Sequence, residues 1–124
     1  MFKAGVDFSG ISNWLALLGR NGAFNHLYDT RVDWKQVTAT AFSSSPVADL
    51  AKWKSPVLLV HGDDDRNVPF DQTVQLAYLL EAQNTVFKEL VIPNEVHDFL
   101  RWENSLEADK ALVQFFSKEL GVVK

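Results

Sequence analysis

The feature that most constrains this chain is a five-residue apolar run, Pro56-Val57-Leu58-Leu59-Val60, that ends abruptly in His61-Gly62-Asp63-Asp64-Asp65-Arg66-Asn67. A short unbroken apolar run bounded by proline and glycine suits a parallel strand covered on both faces, because neither set of alternating side chains meets water. Its neighbours fit the same scheme. Ala4 to Phe8 reads as a strand ending at the turn-prone Ser9-Gly10, and Val86 to Ile92 as another. Between them, Pro69 to Gln83 reads as a helix, with proline in the first turn, Phe70, Val74, Ala77 and Leu80 as its apolar face, and Asn84 as a left-handed cap.

A last helix is predicted from about Asn104, with Asn104 and Glu107 as a capping box and Leu112, Phe116 and Leu120 as its stripe, closed by Gly121. Trp14 to Leu18 reads as a short helical stretch. Residues 20 to 45 read as an irregular, packed loop-and-helix excursion holding His26, Tyr28, Trp34 and Phe42. Ser43-Ser44-Ser45-Pro46 is too short to separate domains. Alternating strands and helices imply a three-layer α/β/α domain with a mostly parallel sheet of about three strands.

Composition narrows the function. The 124 residues are 47% hydrophobic, enough for one core. A net charge of −4 with no basic stripe argues against nucleic acid as a partner. No stretch reaches the roughly 20 apolar residues of a membrane span, and the N-terminus lacks the pattern of a signal peptide. The absence of cysteine excludes disulfides and thiolate metal sites and fits a reducing cytosol, so a cytoplasmic location is expected.

Ligands of open α/β sheets bind beyond the carboxyl ends of the strands. Two such ends here are polar: HGDDDRNV after the central strand and NEVHDF after the next. Loops after neighbouring parallel strands lie side by side, so a carboxylate from the first can meet His97 from the second. An aspartate set against an imidazole fixes its tautomer and stabilises the imidazolium, as an acyl-transfer base requires.

The segment from Ser55 to Pro69, with its H-G-x-x-D-x-x-V pattern, resembles the acid-bearing segment of the prolyl oligopeptidase family. Glu95-Val96-His97-Asp98-Phe99 is similar to that family's histidine turn, except that Asp98 stands where glycine is usual. AGVDFSGISNW also resembles the strand that follows the family's nucleophile helix. The resemblance implies a partial α/β-hydrolase fold and a serine peptidase of peptide bonds, with esters as a second substrate class. It implies catalytic roles for Asp65 and His97 and substrate contacts for Asn67 and Val68. No cofactor is expected.

The nucleophile is missing from this pattern. α/β-Hydrolases place their serine in G-x-S-x-G, ahead of the acid and base. The nearest string, Gly10-Ile11-Ser12-Asn13-Trp14, has tryptophan at the crowded last position, so Ser12 is not expected to act. The serine would then lie upstream of Met1 or on another chain, and the chain alone would be inactive. Alternatives are a non-catalytic interaction module or a metal-dependent enzyme using Asp63, Asp65 and His97. Otherwise Asp63 and Asp64 read as a solvated turn, His61 as a brace of the loop, and His26 as a surface or packing residue. Phe8, Trp14 and Tyr28 are candidate pocket aromatics, with core packing the favoured role for each. An uncovered strand edge near Val6 predicts association with the missing half or with another copy.

Overall fold

The computed structural model describes residues 2–20 and 31–122. His26 and Tyr28 lie outside them. Three strands, β1 (Gly5–Phe8), β2 (Val57–Gly62) and β3 (Phe87–Ile92), form one parallel sheet in the order β1-β2-β3. Among the described residues four α-helices accompany it: α1 (Trp14–Arg20), α2 (Trp34–Ser43), α3 (Asp71–Ala82) and α4 (Trp102–Glu119). A 3-10 segment, Pro46–Lys52, leads into β2.

The layers follow from the two-residue period of β2. Leu58 and Val60 join Ile92, Phe99, Ala108 and Phe115 on one face, against α4. Val57 and Leu59 join Leu50, Leu76 and Leu80 on the other, against α3 and the 3-10 segment. Every residue of β2 is buried, which is why its sequence does not alternate. The sheet is thus sandwiched between helices, the expected three-layer arrangement.

The helices depart from expectation in instructive ways. Asp33 caps α2 by accepting from the Gln36 amide at 3.0 Å, and this ten-residue helix is the helical part of the excursion, whose position the sequence reading left open. Ser45 is buried rather than a linker residue. Its hydroxyl donates to the Ala41 carbonyl at 2.7 Å and accepts from the Trp14 amide at 2.9 Å, fastening α2 to α1. On α3 the buried residues are Gln72, Thr73, Leu76 and Leu80, while Val74 is 52% exposed. Hydrogen bonds to loop groups, not apolarity alone, turn that helix. Asn84 does take the left-handed conformation, with φ 57°.

α4 begins at Trp102 and has no side-chain cap. Asn104 instead donates to Glu95 at 2.6 Å. The core face of α4 is Ala108 and Phe115, with Ala111 and Phe116 packed beside them, and Leu120 lies exposed. Phe8 and Trp14, expected in the core, are also exposed. Phe8 stacks on Phe99, ring centroids 4.9 Å apart.

Candidate active site

Parallel pairing carries the carboxyl ends of β2 and β3 to the same rim, with His61 beside Val91 and Gly62 beside Ile92. The loops that follow are stitched together. The Asp63 amide donates to the Ile92 carbonyl at 3.2 Å and the Asp64 amide to the Glu95 carbonyl at 3.1 Å. The Asp63 carboxylate accepts from the Asn94 amide at 2.6 Å. Gly62 is needed here, because a Cβ on it would lie 2.7 Å from the Glu95 carbonyl carbon. The two loops approach too closely for a side chain between them.

Asp65 sits at the centre. Its Oδ1 accepts from the backbone amides of Asn67 at 2.8 Å and Val68 at 2.9 Å. Its Oδ2 accepts from His97 Nδ1 at 2.7 Å and His61 Nε2 at 3.1 Å. Four N–H groups therefore occupy the acceptor sites of one carboxylate. Burial acts to raise the Asp65 pKa, but the hydrogen bonds from His97, Val68 and Asn67 outweigh it, and the group is held below the usual aspartate value.

His61 is wholly buried and braces the loop. Its Nε2 faces two acceptors, Asp65 and the Val68 carbonyl at 2.9 Å, so the proton belongs on Nε2. Nδ1 then accepts from the Thr73 hydroxyl at 2.6 Å, which explains a buried threonine on α3. His97 differs. Its side chain is 33% exposed, Nδ1–H is committed to Asp65, and Nε2 is the nitrogen left to exchange protons. An oriented, partly accessible imidazole backed by a saturated carboxylate has the arrangement that general-base chemistry requires.

Sequence reasoning quoted Glu95 but missed its work. Its buried carboxylate accepts from the Val96, Leu100 and Arg101 amides at 3.1, 3.0 and 3.4 Å and from Asn104 at 2.6 Å. The Asn104 hydrogen bond first, then these amides, lower its pKa against the opposing effect of burial. Glu95 thereby shapes the turn around His97 and ties it to α4. Phe99, two residues beyond His97, takes φ 47°, a left-handed conformation costing a bulky residue on the order of 1–3 kcal/mol. Acid followed by histidine in one short turn was the signal available.

The other candidates fall elsewhere. Ser12 is buried and its Oγ donates to the Gln72 carbonyl at 2.9 Å, joining the segment before α1 to α3. Asn67 is exposed, whereas Val68 is buried with its amide and carbonyl engaged by Asp65 and His61. Neither lines the cavity that opens along β1. That cavity, about 540 Å³, lies between Val6, Ile11, Pro46, Trp53 and Leu76. Arg66 lies 3.4 Å from Asp64 in an exposed pair. Among the described residues no three His, Asp or Glu side chains are gathered to hold a metal, and Asp63 is turned to Asn94 rather than toward His97.

The pH dependence of stability follows from these carboxyl groups. Asp65 and Glu95 both have lowered pKa values in the folded chain, so their contributions are complete above the unfolded values of about 4. They are lost as pH falls through the lower folded values. Asp7 opposes them: burial raises its pKa, so its contribution improves on acidification. Chemical denaturation is expected to show stability falling below about pH 4, while Asp7→Asn removes only the gain that Asp7 makes above that value, as pH falls from its raised folded pKa toward the unfolded one. Unchanged stability down to pH 2.5, about two units below the unfolded glutamate value, would refute this.

A parallel sheet layered by helices, with an aspartate–histidine pair on its carboxyl rim, defines an α/β-hydrolase. The acylaminoacyl peptidase of Pyrococcus horikoshii has this fold. It superposes with a TM-score of 0.81 over 96% of this chain and 20% of its own, at 22% identity. The chain belongs to the prolyl oligopeptidase family, whose family model matches residues 1–123. An uncharacterized peptidase of Bacillus subtilis, YuxL, is 30% identical over 102 residues, 81% of this chain and 16% of that protein. The acylamino-acid-releasing enzyme of mouse is 38% identical over 53 residues, 43% of this chain and 7% of that enzyme. The chain therefore spans less than a fifth of the length of these curated relatives. No helix among the described residues is long and apolar enough to cross a membrane.

Proposed function

We propose that this chain carries the acid and the base of a serine-type peptidase. Asp65 orients His97. Nε2 of His97 takes the proton of a serine lying outside these 124 residues and returns it to the leaving group. The observation that carries this is the 2.7 Å hydrogen bond from His97 Nδ1 to a carboxylate already saturated by three other donors. Peptide bonds are the expected substrate, with esters second, in line with the peptidases that the chain resembles. Asn67 and Val68 are the substrate-contacting residues in this reading.

The serine needs a place from which to reach His97. Within the described sheet β1 has β2 on one side only, and the 540 Å³ cavity runs along it. We infer that further strands, bringing the serine, pair with β1 from the same polypeptide or from another chain. A second reading, a non-catalytic hydrolase-like module, is favoured by the lack of G-x-S-x-G in the 124 residues.

Fluorophosphonate labelling separates the two. The protein purified from its source is expected to label on a serine outside this sequence, and His97→Ala is expected to abolish labelling. No labelling of a folded, full-length protein would favour the non-catalytic module.

A further inference from the structure

Two imidazoles meet Asp65, and both donate to the same oxygen. Oδ2 accepts from His97 Nδ1 at 2.7 Å and from His61 Nε2 at 3.1 Å. Only the first of these takes part in the proton transfer proposed above. A brace for the loop needs no contact with the acid, because the Val68 carbonyl, 2.9 Å from the same Nε2, already ties His61 to it. The ring is aimed from the other side. The Thr73 hydroxyl lies 2.6 Å from Nδ1, and Phe70 meets the ring edge-on, with centroids 5.6 Å apart. The side chains of His61 and Asp65 are wholly shielded from solvent. A donor placed there acts on the carboxylate undiluted by water.

The geometry points to His61 as a positioning residue for the base: its N–H draws off part of the charge on Oδ2 and so sets how strongly Asp65 holds a proton on His97. This rests on the catalytic reading of His97. The charge on Oδ2 stabilises the imidazolium that forms when His97 takes a proton. Each N–H that Oδ2 accepts spreads that charge. A carboxylate served by two imidazoles therefore stabilises the imidazolium less than one served by His97 alone.

The other titratable groups of the neighbourhood are engaged elsewhere. Asp7 on β1 acts on His61 through its charge. In the loop after β2, Asp63 accepts from the Asn94 amide and Asp64 pairs with the exposed Arg66. In the loop after β3, Glu95 is occupied by three amides and by Asn104 of α4, and Asp98 is exposed. On α3, Asp71 pairs with Arg20 of α1. Among the described residues no other charged side chain hydrogen-bonds Asp65 or either ring.

The test uses the full-length protein that carries the serine. His61→Asn keeps an amide oxygen where Nδ1 meets Thr73 but has no N–H at the Nε2 position, whereas His61→Gln carries an N–H out to that position. In His61→Asn the low-pH limb of the kcat/KM profile is expected to move upward by roughly half a unit or more, because the undivided charge holds a proton on His97 more strongly. His61→Gln is expected to bring the limb back toward its parent position. Turnover that falls in both variants with the limb unmoved would leave His61 a brace and overturn the inference. Long-range 1H–15N spectra of the parent protein need no variant. His61 is expected as the neutral ring protonated on Nε2, and a proton on Nδ1 alone would remove the donor and overturn the inference as well. His97→Ala, run beside these, keeps the two readings apart. If it retains activity, the catalytic reading falls. If it abolishes activity while His61→Asn titrates like the parent, only the role of His61 falls.

Discussion

Asp65→Asn is expected to lower turnover on the order of 10⁴-fold in a polypeptide that also carries the serine, while the fold survives. The reason is tautomeric. An asparagine can turn its oxygen toward the Asn67 and Val68 amides, which donate at 2.8 and 2.9 Å, but its NH2 then faces both histidines. His61 keeps a partner in the Val68 carbonyl. His97 has none, and its Nδ1 is satisfied only by becoming an acceptor. That moves the ring proton to Nε2, the nitrogen that has to accept the serine proton. Stability should fall as well, by about 1–3 kcal/mol, since a buried network loses one matched acceptor. The Nδ1 proton of His97 gives a direct readout, as a downfield NMR resonance present in the parent chain and absent from the variant. Turnover within tenfold of the parent would show that the carboxylate does not govern the base.

Gly62→Ala is expected to cost about 3 kcal/mol, the upper end for overpacking, because the added methyl meets backbone that cannot rotate away. The atoms in its path are the carbonyl group of Glu95. Relief requires the loop after β3 to move off the loop after β2. The hydrogen bonds from Asp64 to Glu95 and from Asn94 to Asp63 would stretch with it. A displacement near 1 Å between acid and base would lower turnover on the order of 10²-fold. Gly5→Ala is the control, since no atom lies within 4 Å of the added group. Equal stability of the two variants in urea would show that the loops are not in contact as described.

The parts of the fold that could be read from the sequence are those set by strong local patterns. The apolar run of β2 announces a buried strand, and the polar strings after β2 and β3 mark the rim where Asp65 and His97 meet. What could not be read depends on partners distant in sequence. Asn104 looks like a helix cap until Glu95, nine residues earlier, claims its side chain. Thr73 looks like an unremarkable helical residue until His61 needs a hydroxyl. The core face of α4 was misjudged for another reason. Leu120, taken as core, belongs with Trp102, Leu106 and Val113 on the outer side, and apolar residues on both sides blur a 3.6-residue period. In the site, the meeting of Asp65 and His97 was legible, and the buried carboxylate of Glu95 that holds the histidine's loop was not.

The ring pair of Phe8 and Phe99 joins two parts of the molecule that are otherwise far apart in the chain. Phe8 ends the strand at the sheet's open margin, and Phe99 is the strained residue just past the base. Whatever clamps that margin leans on Phe8, and through it on the turn that aims the imidazole. In the proposed function, strands that pair with β1 would also press on Phe8, and the Phe8–Phe99 contact would pass that pressure to the turn that carries His97.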